Sequence, residues 1–215
     1  MGLIFDWIDS RFNIKKPHKR FLKRVLPARL SFFHCLGGIA FTFYLTSVVS
    51  GLLLSIHYIP SETEAYNSII HIQKDVSFGW LIRAIHKWSA TLFIVSILLH
   101  TLRVFISGAY KTPRELNWIA GTFTLLIAFS SGFTGYLLPW DQKAYWATEV
   151  GTAMAGTIPE FGEYILLAIR GGSEITGLTL IRFYSIHTLW LTLAMAVALW
   201  IHFHIIKRNG ISGGL

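Results

Sequence analysis

Four long apolar stretches, at about 30–58, 80–106, 117–138 and 182–206, constrain this chain more than any other feature. Each meets the roughly 20 residues that a helix needs to cross the hydrocarbon core. The expected fold is an all-α membrane protein of four transmembrane helices, forming one domain over 1–215. Composition agrees: of 215 residues, 53% are hydrophobic and only 14% charged, whereas a soluble domain carries about a quarter charged. A water-soluble globule and a disordered chain are both excluded on this ground. A single cysteine excludes an intrachain disulfide framework and any CxxC zinc pattern. No apolar run precedes the first span, so no signal peptide is expected. The longest connection, 139–181, contains Pro139, Pro159 and an apolar run at 161–169. Its middle is expected to form short helices along the membrane surface.

The net charge of +8 invites a nucleic-acid reading, but the charges sort by side. The N-terminal segment, the connection between spans 2 and 3, and the C-terminus hold 13 Lys or Arg against Asp6, Asp9 and Glu115. The other face holds six basic residues against eight acids. The positive-inside rule then puts both termini on the negative side of the membrane. Topology accounts for the basic excess, and no nucleic-acid partner is expected.

Among nine histidines, four share a pitch. His86 and His100 lie 14 apart on span 2, and His187 and His202 lie 15 apart on span 4. At about 100° per residue, 14 steps return to within roughly −40° and 15 steps to within roughly +60°. Each pair therefore shares a helix face, with levels about 21–22 Å apart. His204 points about 100° away from His187 and is the poorer partner. Spans 2 and 4 run the same way, so His86 pairs in depth with His187 near the positive side, and His100 with His202 near the negative side. Gly37 and Gly51 on span 1, and Gly121 and Gly135 on span 3, repeat the 14-residue pitch at the same two depths. Close helix packing through small residues explains any one such pair. Four spans sharing one pitch point to two flat groups approaching the backbone.

Two imidazoles at each level suit haem iron. A structural zinc site wants four ligands. Two bis-histidine haems would serve electron transfer across the insulating layer. Arg83 and Lys87 near His86, and Arg103 after His100, are candidate partners for haem propionates, though cations at helix ends also snorkel to the surface.

The segments WLIRAIHKWSA (80–90), LLHTLRVF (98–105), KTPRELNW (111–118), GFTGYLLPWDQ (132–142), TLIRFYSIHT (179–188) and the ending KRNGISGGL carry a resemblance over essentially the whole chain. It resembles the cytochrome b6 family and the short N-terminal cytochrome b of menaquinol:cytochrome c reductases. The resemblance implies a b6f- or bc-type quinol oxidoreductase running a Q cycle, in a bacterial plasma membrane or thylakoid-type membrane. It implies two haem b groups, on His86 with His187 and on His100 with His202. It implies a covalently attached haem c at Cys35 in FFHCLGG, and a role for Lys207 and Arg208 at the negative side. It also implies a quinol pocket bordered by Tyr136, Trp140, Asp141, Tyr145, Trp146 and Ala147, residues that an interfacial aromatic belt would otherwise explain.

The partners implied are quinol and quinone, a subunit IV-like C-terminal half of cytochrome b, a Rieske iron–sulfur protein, and a c-type cytochrome or cupredoxin acceptor, in a dimeric complex. The PEWY motif of the C-terminal half is absent from this sequence, so a partner must supply it. Two features depart from the plant-type pattern: the Lys207–Arg208 order, and KPHKRFLKR at 16–24 where acids occur. Two other readings compete. One is a b561- or ferric-reductase-like haem conduit without a Q cycle, which the GFTGYLLPWDQ segment disfavours. The other is a haem-free channel with a histidine proton relay, in which the matched glycine pitch has no purpose.

Overall fold

The computed structural model describes residues 32–210. The N-terminal basic run and the last five residues lie outside the described residues. A short 3₁₀ turn, Phe32–Cys35, leads into helix α1 (Leu36–Ser55). There follow α2 (Ala65–Lys74), α3 (Gly79–Ile106), α4 (Glu115–Leu137), α5 (Gln142–Gly156), α6 (Gly162–Arg170) and α7 (Gly177–Ser185). A π-helical turn, Ile186–Trp190, joins α7 to α8 (Leu191–Asn209). Among the described residues there is no strand.

Four helical segments are long and apolar enough to cross a membrane: Phe32–Ser55, Gly79–Ile106, Glu115–Leu137 and Gly177–Asn209. At about 1.5 Å per residue each exceeds the roughly 30 Å of hydrocarbon. The fourth begins five residues before the expected 182. Thr176 and Thr179 form a reciprocal capping box there, which satisfies backbone groups the apolar pattern does not register. The first ends at Ser55, short of 58.

Span 1 packs chiefly on span 2, and span 4 on span 3, with spans 2 and 3 joining the two pairs. Ala40, Phe93, Ile97, Ile127, Ala128, Met195 and Ala198 form the core, drawn from all four spans. Every one lies between the two histidine levels in sequence, so an apolar plug separates them. Tyr44 crosses the bundle to donate to the Thr192 carbonyl at 3.2 Å.

The 139–181 connection folds as expected into two short helices. Asp141 caps α5 by accepting from the Ala144 amide at 2.8 Å. Arg170, only 5% exposed, fastens α6 to α5. Its guanidinium donates to Thr152 Oγ1 at 2.7 Å, to the Ser173 carbonyl at 3.1 Å, and to both the carbonyl and carboxylate of Glu149 at 3.1 Å. At the same end of the bundle, Tyr58 donates to the Leu138 carbonyl at 2.6 Å. Burial, reinforced by the neighbouring Tyr184, pushes the Tyr58 phenol up, so it stays a donor at all physiological pH.

Candidate haem sites

Each of the four histidines lies against one of the four glycines. A Cβ at Gly51 would stand 3.0 Å from His86 Cε1, and one at Gly135 only 2.6 Å from His187 Cε1. At the other level, a Cβ at Gly37 would meet His100 Cε1 at 3.2 Å, and one at Gly121 would meet His202 Cε1 at 3.2 Å. The glycines let the imidazoles of spans 2 and 4 lie on the backbones of spans 1 and 3.

At the first level, His86 and His187 have ring centroids 6.4 Å apart with planes at 83°. Two imidazoles on opposite sides of one metal atom have centroids about 6.3 Å apart, at about 2.0 Å per metal–nitrogen bond. The separation therefore fits a single iron between them. Among the described residues no three His, Cys, Asp or Glu side chains are arranged to hold a metal ion. The 86/187 level thus brings two imidazoles together.

Hydrogen bonds fix which imidazole nitrogen is free. His86 Nδ1 lies 3.0 Å from the Ser47 carbonyl and 3.2 Å from Ser50 Oγ. Ser50 spends its own proton on the Thr46 carbonyl at 2.7 Å, so it accepts from His86. Likewise Thr134 donates to the Ser130 carbonyl at 2.8 Å and accepts from His187 Nδ1 at 3.1 Å. Both imidazoles therefore carry their proton on Nδ1 and present the Nε2 lone pair. His100 Nδ1 and His202 Nδ1 are both buried without a hydrogen-bond partner.

The unequal spacing resolves structurally. The Leu191 amide bonds to the Ile186 carbonyl, five residues back, and Thr192 Oγ1 donates to the His187 carbonyl at 3.1 Å. This π turn absorbs one residue, so 15 residues of span 4 match the 14 of span 2. The rotation of about +60° expected of a regular helix becomes about −40°, the same as for His86 and His100.

Other residues singled out in the sequence fall as follows. Arg83 donates to Gln73 Oε1 at 3.0 Å. Lys87 is exposed and Arg103 half-buried. Cys35 is exposed, two residues before Gly37 and so beside the 100/202 level. Lys207 and Arg208 are exposed in the last turn of α8. His204 is exposed and lies tilted against Trp200, centroids 5.8 Å apart. Trp140, Tyr145 and Trp146 form an aromatic cluster, with Tyr145 edge-on to both rings at 6.2 and 5.4 Å. Trp140 sits in the left-handed region at φ 52, a strained conformation for a bulky residue. Tyr136 is exposed and Ala147 half-buried.

Sequence reasoning missed two residues. Arg114 Nε and Asn117 Oδ1 are buried without hydrogen-bond partners. Asn117 stands one turn before Gly121 and so borders the 100/202 level, while Arg114 lies a further turn out at the start of span 3. Their place in KTPRELNW, at the start of span 3, was the available signal.

The Cytochrome b/b6/petB family model matches residues 21–210. Cytochrome b6 of Gracilaria tenuistipitata var. liui is 42% identical over 215 residues, covering the whole of both chains. That of Chlamydomonas reinhardtii is 41% identical over the same extent. Among solved structures, a hyperthermophilic respiratory Complex III chain superposes with a TM-score of 0.91 at 32% identity, over 97% of this chain and 56% of that one. This chain thus spans about half the length of that structural relative.

Proposed function

The chain belongs to the cytochrome b/b6 family, and on that premise we propose that His86 with His187, and His100 with His202, are the axial ligands of two b haems. It is a multi-pass integral membrane protein of an energy-transducing membrane, and the haem-bearing subunit of a quinol:cytochrome c/plastocyanin oxidoreductase. The observation that carries the ligand assignment is the His86–His187 ring separation of 6.4 Å, with each imidazole seated on a glycine of the neighbouring span.

Haem held by these two histidine pairs would supply one-electron transfer. The protein's part is to hold the ligands. Ser47, Ser50 and Thr134 keep His86 and His187 protonated on Nδ1 and oriented. The core between the levels excludes water. Arg103 borders the 100/202 level, Arg114 lies a turn further out, and both are suited to pair with anionic propionates there. Arg83, already bonded to Gln73, and Lys87 are the corresponding cations near His86.

In our reading both termini lie on the negative side. Quinol binds at the 86/187 end, against Tyr136, Trp140, Asp141, Tyr145, Trp146 and Ala147 and a partner subunit. A Rieske protein takes one electron and passes it to a c-type cytochrome or cupredoxin. The other electron crosses to the far side, where the electrons from two quinol oxidations, with two protons taken up there, reduce one quinone to quinol, completing a Q cycle in a dimeric complex with a subunit IV-like partner. Cys35 holds a third, covalent haem c; its exposed thiol and its place beside the 100/202 level support this. A pyridine haemochrome assay before and after acid–acetone extraction tests both assignments. Two extractable haems and one retained are expected, with the retained one lost in Cys35→Ala. A normal haem count in His187→Ala would overturn the ligand pairing.

A further inference from the structure

The end of the bundle nearest the 86/187 level holds another pair of histidines, on the surface and outside the haem sites. His57 lies just past α1 and His71 on α2, with ring centroids 6.4 Å apart and planes at 58°. Both are exposed. His71 Nδ1 lies 3.1 Å from Asp75 Oδ2. A carboxylate only accepts, so Nδ1 is the donor in this contact and Nε2 is the ring nitrogen left for another partner. This is the carboxylate–histidine arrangement that orients a metal ligand.

The pair is held by the backbone rather than by chance rotamers. The Ile59 amide donates to Ser68 Oγ at 3.2 Å, tying the chain after span 1 to α2. Ser68 and Ile72 are buried, so α2 is fixed in rotation, and His71 stands one turn beyond Ser68 on the same side. Tyr58, next to His57, is anchored to the Leu138 carbonyl at 2.6 Å. The surrounding connection, 56–78, carries Glu62, Glu64 and Asp75 against Lys74 alone, which favours a cation.

We propose that His57 and His71 bind one divalent cation of the zinc class at this surface, with Asp75 orienting His71 and water completing the coordination. Neutral imidazole suits zinc, copper and nickel, whereas calcium and magnesium want oxygen. Tetrahedral zinc with bonds of about 2.0–2.1 Å places two imidazole centroids about 5 Å apart. The rings must close by about 1 Å, which exposed side chains achieve by small χ rotations. The cation then links the end of span 1 to α2. The site is independent of the haem assignment.

The test is zinc titration of the haem-loaded protein in detergent against a chromophoric chelator, with the haem spectrum as the control for folding. Wild type should bind one zinc that is lost in both His57→Ala and His71→Ala. Asp75→Asn should weaken it about tenfold, and His204→Ala should leave it in place. An unchanged stoichiometry in either of the first two variants overturns the proposal. So does the absence of any zinc bound to wild type, or loss of the zinc in His204→Ala.

Discussion

At the scale of single residues, four glycines differ in how little room they leave. Alanine in place of glycine inside a helix gains up to about 1 kcal/mol of helix propensity. Against that, a Cβ at 135 would stand 2.6 Å from His187 Cε1, while Cβ atoms at 37 and 121 would stand 3.2 Å from His100 and His202. Steric overlap wins at 135, where His187 must move, and is nearly balanced at 37 and 121. Gly135→Ala should therefore cost most or all of the 86/187 haem, Gly51→Ala part of it, and Gly121→Ala little. Haem-to-protein ratios in the purified variants check the order, and full occupancy in Gly135→Ala would contradict it. Thr134 acts more subtly. Thr134→Val removes the acceptor of His187 Nδ1–H, which lowers the basicity of that imidazole. The expected results are haem retention weakened about 10–100-fold and a raised midpoint potential for that haem, with the 100/202 haem unchanged in a redox titration. The ligand histidines themselves were legible from pitch alone. Which nitrogen is free was not, because that depends on hydroxyls and carbonyls of another span.

At the scale of elements, the π turn is what sequence periodicity does not anticipate. A spacing of 15 reads as a tolerable misfit on a regular helix, and only the Leu191-to-Ile186 bond shows that the misfit is removed. Deleting Leu189 should let the span relax to regular helix with a spacing of 14, keeping both b haems. Deleting Leu92 between His86 and His100 leaves 13 steps, about 140° off the shared face, and should lose a haem. Equal haem loss in the two deletions would refute the compensating role of the π turn. Helix α2 went unforeseen for a related reason: ten residues of mixed polarity between two strong spans carry little periodic signal, and its position is set by Ser68 and Ile72 packing beneath it. The α5–α6 pair was foreseen as short helices, but not its fastening by Arg170. Arg170→Met would leave the Glu149 and Ser173 carbonyls and Thr152 without their donor, a loss of roughly 2–4 kcal/mol. Limited proteolysis should then cut within 139–181 in the variant at protease levels that leave wild type intact.

At the scale of the whole molecule, the described bundle buries little of itself. Only 11–22% of each span's most apolar stretch is buried, and large residues such as Leu52, Trp88, Phe123 and Trp200 face outward at 59–68% exposure. In water such a surface could not persist; lipid and partner subunits are the solvents it is built for. Side-chain polarity thus places the chain in a membrane, but it does not choose between the two orientations, since apolar surface is indifferent to direction. Charge makes the choice. The positive-inside rule would put the segments that carry 13 basic and three acidic residues on the negative side, and those with six and eight on the other. The seven-residue difference in basic count is the basis for the expected orientation. Reporter fusions at the C-terminus should be active only on the negative side, and fusions inserted after Glu62, between spans 1 and 2, only on the positive side. If the pattern is reversed, the 86/187 end with its proposed quinol pocket lies on the negative side while the four histidines keep their pairing, because the pairing rests on helix geometry and the orientation on charge.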